Sequence, residues 1–217
     1  YSKTSLVEIE NTTNKGGGAC WDFNEIKKIK EVCNDNNLGF HLDGARLWNA
    51  LVEKKETTLQ YGELFDTISV CLSKGLGCPI GSVLVGDENL MDNAIRIRKI
   101  FGGGMRQVGY LAAAGLYALD HHIDRLEEDH QKAKDIEALL KELPFIKTVE
   151  PVETNIVIFE LMPSVDDKLF ENTLLKEHIQ IIGMGGGKLR IVTHLDYTDD
   201  MHKQLLKTLD TLSFQLT

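Results

Sequence analysis

No run of apolar residues in this 217-residue chain approaches the ~20 that a membrane-spanning helix requires. The opening YSKTSLVEIE does not read as a signal peptide. The chain also lacks an excess of positive charge. Its net charge is −9, with acids and bases well mixed, which argues against nucleic-acid binding driven by phosphate neutralisation. Cysteines are few, and Cys20, Cys33, Cys71 and Cys78 form no CxxC pair. They read as the reduced thiols of a cytoplasmic protein. The histidines keep no ligand spacing with them, and His121 and His122 fall at a polar helix end, so no resident metal is expected. Internal repeats and low-complexity segments are absent.

What is present suffices for a sizeable core: 42% of residues are hydrophobic, enough for one large or two smaller domains. TSLVEIE reads as a strand. DFNEIKKIKEVCNDNN reads as an amphipathic helix capped by Asp22, with Phe23, Ile26, Ile29, Val32 and Cys33 on one face. LGFHLDGA follows as a short strand. Helical stretches cover roughly 45–53 and 57–64, DTISVCLS and GSVLVG read as buried strands, and 87–101 and RQVGYLAAAGLYAL read as helices. Strands alternating with helices predict an α/β domain with a parallel sheet covered on both faces. The second half changes character. A charged helix over 124–143 carries Leu126, Ala133, Ile136, Leu139 and Leu140 inward. Strands TNIVIFEL, IQIIGM and KLRIVTHL, the helix DKLFENTLLKE and a last helix from 198 to about 213 complete a small α+β domain with largely antiparallel strands. The expected domains are 1–123 and 124–217, with the boundary near 121–125.

Four stretches carry the chemistry. Lys74 lies in SVCLSKGLGCPIGSVLVG, just after a strand, and in open α/β sheets the functional crevice lies at the carboxyl ends of strands. A partly desolvated ammonium there becomes a nucleophilic amine. The alternative is a solvated loop lysine. In FHLDGAR, Asp43 also ends a strand and could hold a protonated ring nitrogen. Arg46 could clamp a carboxylate or phosphate, and an Asp cap with a surface ion pair is the alternative. FGGGMRQVG joins three glycines to Arg106 before a helix, which suits a phosphate or simply a flexible loop. Arg190 interrupts the apolar strand KLRIVTHLD, as an edge arginine or a substrate-carboxylate clamp. A reactive lysine, an aspartate for a pyridinium and arginines for anions are the set that a pyridoxal-phosphate enzyme needs.

HLDGARLWNA, SVCLSKGLGCPIGSVLVG, GGGMRQ with LAAAGLYAL, RIVTHLD and the early ENTTN together resemble the low-specificity threonine aldolases, from residue 5 to about 200. The resemblance implies the fold type I, aspartate-aminotransferase-like architecture: part of its large domain, then a small C-terminal α+β domain. It implies that Lys74 forms a Schiff base with pyridoxal 5'-phosphate, that Asp43 pairs with the pyridine nitrogen, and that Arg46 and Arg190 hold the substrate's α-carboxylate. Arg106 is implied to contribute to the cofactor phosphate site, and Asn11 to contact the cofactor. The implied reaction is retro-aldol cleavage of threonine or allo-threonine to glycine and an aldehyde. The implied enzyme is a cytoplasmic homotetramer, a dimer of dimers, with no nucleic-acid or membrane partner.

The chain is shorter than this family by on the order of 120 residues. The absent N-terminal part would supply a Gly-Thr phosphate cradle, a histidine that stacks on the cofactor and a serine near the substrate. The expectation is therefore a piece that binds the cofactor poorly alone, with apolar faces and sheet edges uncovered. His41 shares a strand side with Asp43, as a base or as a strand histidine with a satisfied partner. The alternatives to an aldolase are a related β-eliminating lyase of the same fold and a cofactor-free, inactive fragment. Glycine plus aldehyde against pyruvate plus ammonia separates the two enzymes.

Overall fold

The computed structural model describes residues 2–212, which form two compact units. The first comprises the chain up to Thr12 together with Cys20–Leu126. It holds strands β1 (Leu6–Glu10), β2 (Gly39–Gly44), β3 (Thr67–Cys71) and β4 (Ser82–Gly86). Its helices are α1 (Phe23–Asp35), α2 (Leu47–Lys54), α3 (Thr58–Gly62), α4 (Glu88–Ile100) and α5 (Gly109–His121).

Local chemistry sets these boundaries. The Asp22 carboxylate accepts from the N–H groups of Asn24 and Glu25 and so starts α1. Thr57 and Gln60 form a reciprocal capping box before α3. On α1, Ile26 and Cys33 are buried as expected, but Val32 is 56% exposed: the apolar stripe is narrower than its sequence suggests.

The sheet runs β1-β2-β3-β4, and β1, β2 and β3 are parallel. Their inward residues Ile9, Phe40, Leu42, Ile68 and Val70 pack with Ile26, Leu47, Tyr61 and Phe65 from the α1–α3 side of the sheet. Two expectations fail at β4. It is antiparallel to β3, because the short loop between them cannot make the long crossover that a parallel neighbour needs. It is also exposed along most of its length rather than buried. An apolar run bounded by turn signals marks a strand, but its burial depends on what covers it.

The second unit comprises Thr13–Ala19 and the chain from Glu127 onward. Its elements are α6 (Leu126–Glu142), β5 (Ile146–Val149), β6 (Ile156–Leu161), α7 (Asp167–Lys176), β7 (Ile182–Gly185), β8 (Lys188–Val192) and α8 (Asp199–Leu212). The sheet order is β5-β6-β8-β7, antiparallel throughout. Strand β5 was not expected from the sequence. Its core joins Ala133, Ile136 and Leu140 of α6 to Phe159, Phe170, Leu189 and Leu209. Leu126, the first residue of α6, packs instead with Leu76, Cys78 and Ala118 of the first unit's chain. The loop Thr13–Ala19 is tied into the second unit by the Thr154 hydroxyl, which donates to the Gly18 carbonyl at 2.7 Å. At Gly18, φ is +76° and a Cβ would sit 2.5 Å from that hydroxyl, so only glycine fits. Among the described residues, no helix is long and apolar enough to cross a membrane.

Candidate active site

The three parallel strands of the first unit end on one edge. The ladder aligns Glu10 with Asp43 and Asp43 with Ser69. Asp43 lies on the half-buried side of β2, with His41, while Phe40 and Leu42 face the core. Its Oδ1 accepts from the Ala45 N–H at 3.0 Å, which fixes the carboxylate at the strand end. The glycine that follows is required: a Cβ at Gly44 would lie 2.7 Å from the Ser69 carbonyl oxygen and 3.1 Å from the Leu47 Cβ. Arg46 then stands half-buried at the start of α2, bonded within the protein. His41 Nδ1 lies 2.8 Å from the Thr67 hydroxyl, so this imidazole has a satisfied strand partner.

Lys74 follows β3 in a loop closed by backbone hydrogen bonds from Leu72 to Gly81, Cys78 to Leu72 and Gly77 to Lys74. Leu76 and Cys78 turn inward, which leaves the lysine outside. Gly75 seats this loop, since a Cβ there would approach Leu126 Cδ2 to 2.9 Å. Of the two sequence readings of Lys74, a partly desolvated amine and a solvated loop lysine, the structure shows the solvated one: the side chain is exposed, and its Nζ donates to Cys71 Sγ at 3.1 Å.

Asn11, at the end of β1, is fully buried. Its N–H donates to the Asp43 carbonyl at 3.0 Å, its Nδ2 donates to the Tyr61 hydroxyl at 2.9 Å, and its Oδ1 accepts from the Trp21 N–H at 3.4 Å. The Tyr61 hydroxyl donates in turn to Glu56. Burial pushes the Tyr61 phenol well above its ordinary pKa, and the Glu56 carboxylate adds to the rise. Asn11 thus ties β1 to β2, with its amide turned into the protein.

Arg106 stands exposed in the loop between α4 and α5. Among the described residues, no hydrogen bond or ion pair joins it to Asp43 or Lys74. Gly102 and Gly104 in this loop have φ of +86° and +156°. Arg190 belongs to the second unit, on β8 between Ile158 and Ile182 in register. Its Nε is buried without a hydrogen-bond partner, and the side chain lines a cavity of about 450 Å³ with His178, His194, Tyr197 and Met201. The structure therefore brings Asn11, Asp43 and Lys74 to one sheet edge and sets Arg46 just beyond Asp43. Two residues at this edge were missed from sequence: Ser69, the ladder partner of Asp43, and Cys71, which meets Lys74. The spacing of Cys71 three residues before Lys74, across a strand end, was the available signal.

An amine and a fixed carboxylate presented from adjacent strands suit a ligand that carries an aldehyde and a basic ring nitrogen. The donor set thus fits pyridoxal phosphate at those two groups.

The sequence model of the beta-eliminating lyases matches residues 1–163. The chain is similar to a low-specificity L-threonine aldolase of Candida albicans, at 38% identity over 213 residues, 95% of this chain and 54% of that relative. Among solved structures it resembles a putative L-allo-threonine aldolase of Listeria monocytogenes, with a TM-score of 0.80 at 20% identity, over 95% of this chain and 61% of that one. It also resembles the histidinol-phosphate aminotransferase of Clostridium acetobutylicum, with a TM-score of 0.69 at 16% identity, over 97% of this chain and 64% of that one. The chain spans about half the length of the curated relatives it matches.

Proposed function

This chain belongs to the beta-eliminating lyase family, and from that premise we propose that it is part of a pyridoxal-phosphate-dependent aldolase. The proposed reaction cleaves threonine and allo-threonine to glycine and an aldehyde. The observation that carries this reading is the presentation of Asp43 and Lys74 from the ends of neighbouring parallel strands. The 38% identity to a low-specificity L-threonine aldolase supports the same choice. The aminotransferase-like fold, carried in part, supports the cofactor.

Bound at this edge, pyridoxal phosphate supplies an electron sink for the breaking Cα–Cβ bond. Lys74 offers the amine that anchors it, and the exposure of that amine leaves it accessible. Asp43, with Oδ1 already fixed by Ala45, offers a carboxylate to a protonated ring nitrogen. Asn11 acts as a positioning residue, since its N–H binds the Asp43 carbonyl. Arg106 is assigned the phosphate, through its side chain on the glycine loop. Arg46 is assigned the substrate carboxylate. Arg190 keeps the same assignment from the family resemblance, with its unpartnered Nε in support. Holding the carboxylate would orient the substrate, and that orientation would decide which of its bonds breaks. A cytoplasmic location and an assembly as a dimer of dimers belong to the same reading.

The family's description favours a second reading, β-elimination. Product analysis with threonine and added cofactor separates the two. We expect glycine and acetaldehyde in equal amounts from the chain mixed with the segment of the Candida relative that lies outside the match. A 2-oxo acid with ammonia would replace the aldolase by the eliminating lyase.

A further inference from the structure

The contact between Cys71 and Lys74 has no part in the reaction proposed above. Cys71 is the last residue of β3, where it pairs with Ser82 of β4. Side chains alternate along β3: Ile68 and Val70 face the core, while Ser69 and Cys71 are half-buried on the other side. Ser69 is the ladder partner of Asp43, so the thiol stands on the face that carries the site. Three residues on, Lys74 turns its amine back to the strand end and meets Cys71 Sγ at 3.1 Å. That separation lies in the range of about 3–3.5 Å from which reacting atoms form a bond. The contact is local, held by the loop bonds of Leu72 with Gly81, Cys78 with Leu72 and Gly77 with Lys74. Cys33 and Cys78 differ, since both are buried in apolar clusters as inert, structural thiols. Cys71 instead sets a thiol that a small oxidant can reach against a nucleophilic amine.

We propose that Cys71 and Lys74 form a redox-sensitive pair, closed by peroxide into an S–N sulfenamide bridge. The chemistry takes two steps and one equivalent of hydrogen peroxide. In the first, the Cys71 sulfur attacks a peroxide oxygen, the O–O bond breaks, and a sulfenic acid and water form. Sulfur loses two electrons and peroxide gains them. In the second, the Lys74 amine attacks that sulfur. The S–O bond breaks, the S–N bond forms, and the hydroxyl leaves as water with a proton from the nitrogen. Sulfenic acids condense with backbone nitrogen in the same way. Two equivalents of a thiol reverse the bridge, returning the Cys71 thiol and the Lys74 amine and leaving a disulfide of the reductant. The bridge also diverts the sulfur from the irreversible sulfinic and sulfonic acids. While it is closed, the amine is unavailable to the cofactor. That consequence rests on the reading of Lys74 as the cofactor's amine; the bridge itself rests on the contact alone.

The test treats this chain, free of cofactor, with a small excess of hydrogen peroxide and maps the digested peptides by mass spectrometry. We expect a product two hydrogens lighter in which Cys71 and Lys74 are joined. It should be absent from Cys71→Ser and from Lys74→Arg, and dithiothreitol should reverse it. Acylation of Lys74 by a succinimidyl ester gives a second readout. Acylation should be lost after peroxide and restored by dithiothreitol, and in Cys71→Ser it should be indifferent to peroxide. Three results would each overturn the inference: Cys71 oxidised only to sulfinic or sulfonic acid with Lys74 still acylated, a disulfide from Cys71 to another cysteine, or an unreacted Cys71. Cofactor attachment at Lys74 in the untreated protein, read separately, bears on the aldolase reading alone.

Discussion

At the residue scale, the site depends on a short run in which each residue has a distinct duty. Asp43 offers the carboxylate, Gly44 lets β2 and β3 approach, and Ala45 supplies the N–H that holds the carboxylate still. Asp43→Asn keeps an oxygen for Ala45 but removes the charge. We expect an unchanged unfolding midpoint and cofactor binding weakened on the order of tenfold or more, read by absorbance titration. Gly44→Ala forces a Cβ onto the Ser69 carbonyl, which is backbone and cannot swing aside. It should destabilise the first unit by about 1–3 kcal/mol, measured as a shift in urea midpoint. The residue types were legible in the sequence because Asp, Lys and Arg at strand ends are chemically conspicuous. The inward turn of Asn11 was not, because it depends on a partner far away in sequence: Tyr61, fifty residues on.

At the element scale, one carboxylate links α1 to the sheet. Asp66 accepts from the Phe40 N–H at 2.7 Å and from Lys30 Nζ at 3.0 Å. Burial, the largest single influence, would raise its pKa, but the Phe40 N–H and the Lys30 ammonium together outweigh it and hold the group below the ordinary value. A depressed pKa in the folded state gives stability that is present above the unfolded value, near ~3.9, and lost as pH falls through the folded value. The urea midpoint of the first unit should therefore fall on acidification below about pH 4. Asp66→Asn should lower the midpoint at neutral pH and flatten this acid limb; an unchanged limb would remove Asp66 from the account. Most elements were legible because their apolar periodicity and caps are local, as at Asp22 and α1. β5 was missed because its four residues carry too little pattern, and the direction of β4 was missed because direction is set by the connection rather than by composition.

At the scale of the whole molecule, two units hold separate cores, one around Phe40 and Tyr61 and the other around Phe159 and Phe170. Phe170→Ala should cost about 3–5 kcal/mol and raise hydrogen exchange in α6, β6 and α7, while β1–β3 keep their protection. Uniform loss of protection would show that the two cores do not stand independently. The change from alternating strands and helices to an antiparallel α+β pattern was readable from sequence. The passage of Thr13–Ala19 into the second unit was not, because it rests on contacts such as Thr154 with Gly18. The central claim is that this chain presents Lys74 to pyridoxal phosphate. It is tested most directly by adding the cofactor, reducing with borohydride and mapping the labelled peptide. The account predicts a phosphopyridoxyl group on Lys74, lost in Lys74→Ala, when the complementary segment of the Candida relative is present. Labelling of another lysine in the presence of that segment, with Lys74 unmodified, would contradict it.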